Sequence, residues 1–153
     1  MQNTTKVADF LDELDLFRGL SYQDLVHLGR FMVFKTVPKG EVIFHEGDPG
    51  SYMIILVEGR MEVSKSGDAG IHLLSYEGRG RVLGEMALLD HERRSATCVA
   101  ATSCDMLTIN QENMDRLVLE FPSVAYKLLF ILAQLLSRRL RRTSGLLADF
   151  LGS

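Results

Sequence analysis

Fourteen residues, GEMALLDHERRSAT from Gly84 to Thr97, hold one carboxylate near their start, Glu85, and two adjacent guanidiniums near their end, Arg93 and Arg94. Gly84 reads as the end of a strand and GEMALL as one short helical turn, so the free backbone N–H groups at its start can face an anion. Arg94, at the start of the next strand, can add a charge-assisted fork to the same phosphate, and the Ser95 hydroxyl a further donor. Glu85 cannot serve a phosphate, because an ionised carboxylate only accepts; its natural partner is a ligand hydroxyl such as a ribose 2′-OH. The stretch fits a sugar phosphate gripped at both ends, with Gly84 allowing the backbone to come close. A competing reading pairs Glu85 with Arg94 and leaves both arginines as surface charges. Spacing alone does not separate the two.

Positioning these groups is the task of the rest of the chain. Phe10, Leu11, Leu14, Phe17, Leu20, Leu25 and Leu28 recur at helical spacing, broken by Gly19-Leu20-Ser21, which predicts two short helices with Ser21 as N-cap and a helical cover over 1–30. From 31 to 109 the texture changes to short β-rich runs separated by turn residues: FMVFKTV, EVIF, YMIILV, RMEVSK, IHLLSY, then SATCVAA and CDMLTI. Strands this short and this regularly interrupted predict an antiparallel β-roll of the jelly-roll-like barrel kind, hence an α+β fold. Asn110 caps a helix to about Leu119, and Pro122 opens a longer one, so helices fill 110–153. In the last helix Leu129, Leu132, Leu136, Leu140, Thr143, Leu147 and Phe150 form one stripe. Thr143, with Ser144 beside it, is costly on a helix that only packs on a core, which favours a seam between two copies and predicts a homodimer.

With 153 residues, 46% of them hydrophobic, the chain can bury one core and has little room for a second, so 1–153 reads as one domain. A net charge of −3 excludes a surface built throughout for nucleic acid or an anionic membrane. The basic run Arg138, Arg139, Arg141 and Arg142 reads as a solvated helix face. Cys98 and Cys104 match neither a disulfide framework nor a metal spacing, and the start of the chain has no signal-peptide pattern; both point to the cytoplasm. The apolar run LLFILA is far short of a membrane span. His27, His45, His72 and His91 are scattered without paired ligand spacing, so neither a metal, another cofactor nor an enzyme activity is expected.

Three stretches together, GEVIFHEGDPGSYMIILVEGRMEV, GEMALLDHERRSAT and RRLRRTS, resemble the cyclic nucleotide-binding domain family over essentially the whole chain, with 84–97 similar to its phosphate-binding cassette. The resemblance implies that Glu85 binds the ribose 2′-OH, that Arg94 and Ser95 bind the cyclic phosphate, and that the backbone of Gly84, Glu85, Met86 and Ala87 lines the cassette. It implies that Thr143 and Ser144 meet the base edge, one from each subunit of a dimer. The ligand implied is cyclic AMP, with cyclic GMP or a cyclic dinucleotide as alternatives. Two residues depart from the pattern. Arg81 stands where an acid is usual, and Gly145 predicts a kink or fraying at a cost of roughly 1 kcal/mol. In the bacterial activators of the family the long helix leads into a DNA-binding module, for which the sequence to Ser153 has no room. The reader of the bound state is then an unidentified protein effector, unless the chain is the ligand-binding half of a longer transcription regulator.

Overall fold

The computed structural model of the chain describes residues 4–152. Helix α1 (Thr4–Asp12), a 3-10 turn (Asp15–Phe17) and α2 (Tyr22–Gly29) form the N-terminal cover. Ser21 caps α2 as its sequence predicts: its Oγ accepts the Asp24 N–H at 3.1 Å while the Asp24 carboxylate accepts the Ser21 N–H at 3.0 Å, satisfying two helix-end donors at once. Leu11, Phe17, Leu20, Leu25 and Leu28 are all buried by this cover.

Eight strands follow: β1 (Val33–Val37), β2 (Val42–Phe44), β3 (Tyr52–Glu58), β4 (Met61–Gly67), β5 (Gly70–Glu77), β6 (Val82–Leu83), β7 (Thr97–Ala100) and β8 (Cys104–Asn110). They make two antiparallel four-stranded sheets, ordered β1-β8-β3-β6 and β2-β7-β4-β5. The run YMIILV is apolar on both faces because β3 is buried on both. Ile54 and Leu56 point between the sheets with Leu83, Cys98 and Met106, while Met53 and Ile55 point the other way into the core shared with the helices. By contrast β5 is an edge strand with Ile71, Leu73 and Tyr76 exposed. Both cysteines are free and buried, and burial pushes the Cys98 thiol up to about 12, so it behaves as a small hydrophobe.

Helix α4 (Gln111–Glu120) is capped by Asn110, whose side chain accepts the Asn113 N–H at 2.8 Å. Helix α5 (Pro122–Gly152) then runs for 31 residues. The stripe read from the sequence divides here. Leu132 lies in the core, but Leu129, Leu140, Leu147 and Phe150 are exposed; the buried face is Val124, Ala125, Leu128, Ile131 and Leu132. Two apolar rows share the helix, and it outruns the body it packs on. Nor does Gly145 break it, since the helix continues to Gly152. Among the described residues no helix is long and apolar enough to cross a membrane.

Leu128 is fully buried where α5 meets the cover. Leu128→Ala should therefore lower the unfolding free energy by ~2–5 kcal/mol in a urea titration, with the slope of the transition unchanged.

Candidate functional site

Strand β6 turns into α3 (Glu85–Asp90) through Gly84, which sits at φ 77°, ψ 9° in the left-handed region. A side chain there would also meet Arg94, since an added Cβ would lie 2.5 Å from its Nη1. Glycine thus serves both the turn and the close approach of the arginine. Arg94 comes back from the loop between α3 and β7 and is only 3% exposed. Its Nη1 donates to the Gly84 carbonyl at 3.1 Å and its Nη2 to the Tyr52 carbonyl at 2.8 Å. The guanidinium carbon lies 4.1 Å from the centre of the Phe44 ring and 4.7 Å from that of Tyr52. Nε is buried with no hydrogen-bond partner among the described residues. No salt bridge reaches this charge among the described residues. Burial pushes its pKa down, yet a guanidinium stays charged. A buried cation with a free donor and no salt bridge among the described residues can take an anion.

Glu85 and Arg94 do not pair with each other. The Glu85 carboxylate, 3% exposed as a residue, accepts instead from Arg139 Nη1 of α5, and Arg139 Nη2 donates to the Val82 carbonyl at 3.0 Å. Burial pushes the Glu85 carboxyl above its ordinary range, while Arg139 pulls it the other way. Arg139 is therefore no solvated charge of the basic run. Arg93 is likewise engaged: its Nη1 donates to the Gly47 carbonyl at 2.9 Å, and its backbone bridges to Pro49.

A cavity of about 910 Å³ opens over this arrangement. Gly84, Glu85, Met86, Ala87, Arg94 and Ser95 line one side, the β5 residues Ser75 and Glu77 another, and Arg139 and Thr143 of α5 a third. Met86 is exposed and Ala87 buried. The Ser95 carbonyl accepts Lys65 Nζ at 2.9 Å. Thr143 donates its hydroxyl to the Arg139 carbonyl one turn back, at 3.0 Å, and keeps its oxygen as an acceptor. Ser144 is exposed and is not among the residues lining this cavity. Arg81, the departure noted in the sequence, donates to Glu77 at 2.9 Å at the cavity edge.

Four residues of this arrangement escape the sequence reading. Arg139 stands four residues before Thr143, hence on the same helix face, and that spacing could have found it. Phe44, Tyr52 and Gly50 reach the site only through the fold. An added Cβ on Gly50 would lie 2.1 Å from Ala87 Cβ and 3.2 Å from Arg94 Nε, so this position too must stay small.

The sequence matches the cyclic nucleotide-binding domain over residues 34–121. It is 32% identical over 127 residues to the cyclic AMP receptor protein of Thermus thermophilus, covering 82% of this chain and 57% of that protein. The chain thus spans less than two thirds of the length of curated relatives such as this one. Among solved structures, a cyclic nucleotide-binding domain from Methylobacillus flagellatus superposes with a TM-score of 0.81 at 28% identity, covering 91% of this chain and 79% of that one. The Thermus thermophilus catabolite activator protein superposes with a TM-score of 0.76 at 32% identity, over 90% and 62% of the respective chains.

A carboxyl whose pKa is raised by the fold binds its proton more readily folded than unfolded. Glu85 thus favours folding below its ordinary value of 4.5, and that contribution is lost as pH rises through the raised value. Carbon-13 NMR of the side-chain carboxyls should show Glu85 titrating above 4.5, and Arg139→Met should move it further up by removing the opposing charge. Titration at or below the ordinary value would show that burial does not dominate.

Proposed function

The chain belongs to the cyclic nucleotide-binding domain family, and on that premise we propose that it is a sensor of a cyclic nucleotide, cyclic AMP foremost, which reports the bound state through α5. The observation that carries the reading is the buried Arg94 beside Gly84, which among the described residues has no salt bridge and an unpartnered Nε. A cyclic phosphate supplies the missing charge and the missing acceptor together. The ribose 2′-OH then donates to Glu85, for which it competes with Arg139. Thr143 keeps an acceptor for the amino edge of adenine. The protein is a binding module and not a catalyst in this reading, and it acts in the cytoplasm on a protein effector.

Because Arg139 belongs to α5, ligand and helix contend for one carboxylate. A ligand that takes Glu85 favours helix positions in which Arg139 is released, and the shift is limited by its difference in affinity between those positions. The proposal includes a homodimer, supported by the exposed row Leu140, Leu147 and Phe150 on the distal half of α5. Ser144, outside the cavity of its own chain, is then free to reach the ligand of the other subunit.

Calorimetry against cyclic AMP, cyclic GMP and a cyclic dinucleotide tests the ligand. Cyclic AMP should bind tightest, and Arg94→Ala should weaken it by roughly 30-fold or more, since truncating one side of a buried charged contact costs ~2–5 kcal/mol. A folded Arg94→Ala protein with unchanged affinity would sink the assignment. Leu140→Glu, by placing an unpaired charge on the proposed seam, should turn a dimer into a monomer in sedimentation. A wild-type protein that already sediments as a monomer ends the dimer proposal.

A further inference from the structure

We propose that Phe44 and Tyr52 are positioning residues for the ligand phosphate: an aromatic clamp that holds the Arg94 guanidinium in place without neutralising it. The inference deepens the binding reading above and rests on it. A long, flexible side chain carrying a buried charge needs something to fix it, and the common solution is a carboxylate. A carboxylate here would consume the N–H groups and the charge that an anionic ligand must find. Ring faces do neither, because they attract a cation through their quadrupole and accept none of its in-line hydrogen bonds. The guanidinium carbon is 4.1 Å from the Phe44 centroid and 4.7 Å from that of Tyr52, and among the described residues two backbone carbonyls take its protons.

The clamp is itself braced. Phe44 ends β2 in one sheet and Tyr52 begins β3 in the other. Their rings meet edge to face at 6.5 Å and 76°. The Tyr52 hydroxyl donates to the Ile43 carbonyl at 3.0 Å, tying the two strands, and the Tyr52 carbonyl is the acceptor of Arg94 Nη2. One residue therefore fixes the arginine through its ring and its backbone while it joins the sheets beneath the site.

Two measurements test the clamp. In the free protein labelled with nitrogen-15 arginine, the Arg94 Nε–H resonance should be displaced by the ring currents of the two aromatics. Phe44→Leu should return it toward the position of a free arginine, and an unmoved resonance overturns the clamp whether or not any ligand binds. By calorimetry with cyclic AMP, Phe44→Leu should weaken binding by roughly 3- to 30-fold, the span of a desolvated cation–ring contact, and Phe44→Tyr should restore it. In an Arg94→Ala background the same Phe44→Leu change should cost nothing further. An equal loss in that background means that the ring acts on the fold and not through Arg94. Should Phe44→Leu fail to fold, Phe44→Met takes its place in both measurements. A wild-type protein that binds no cyclic nucleotide, or an Arg94→Ala protein that binds normally, overturns the ligand assignment and leaves the resonance measurement to decide the clamp.

Discussion

A positive charge lies buried with no salt bridge to it among the described residues. Everything around Arg94 follows from keeping it so: glycine at 84, where a side chain would strike Nη1; glycine at 50, where one would strike Ala87; two carbonyls and two ring faces in place of a salt bridge. An ionised group taken out of water without a counter-charge costs several kcal/mol, and the rest of the fold bears that cost. The two-sided burial of β3, which carries Tyr52 at its start, is what makes the platform stiff enough to do so.

The second charge pair has the opposite character. Glu85 is paired with a residue from another element, and burial pushes its pKa up while that partner pulls it down. A contact of this kind is open to exchange. Arg139 is partly solvated, with 38% of its side chain exposed, so it has water to return to when another donor reaches the carboxylate. In the proposed reading one end of the site stays fixed and the other changes partners.

Most of the architecture was legible in the sequence because it is written in local signals: Ser21 and Asn110 as caps, Pro122 at the start of α5, apolar runs of strand length between turn residues. That Gly84 to Ala87 and Arg94-Ser95 share one side of a cavity was legible for the same reason, since they lie within fourteen consecutive residues. What was not legible depends on where distant segments meet. Phe44 and Tyr52 read as ordinary strand aromatics until β2 and β3 are placed on either side of Arg94. Arg139 read as one of four solvated arginines, because periodicity assigns a helix face but not what that face lies against. The stripe on α5 was read too wide for a related reason: two apolar rows at neighbouring angles look like one when only the spacing is known, and burial assigns Leu132 to the core and leaves Leu129, Leu140, Leu147 and Phe150 exposed.

Beyond Leu132, the last fully buried residue of α5, the helix runs without interruption to Gly152. At 1.5 Å per residue this segment is about 30 Å long, and a tilt of about 10° at its base would carry the tip through about 5 Å. In the proposed reading the exchange at Glu85 acts on Arg139, nearer the base of this segment than its tip. Helix length would then set a mechanical gain that is independent of affinity: shortening α5 by a turn would leave the cavity lining intact while reducing the displacement of the tip.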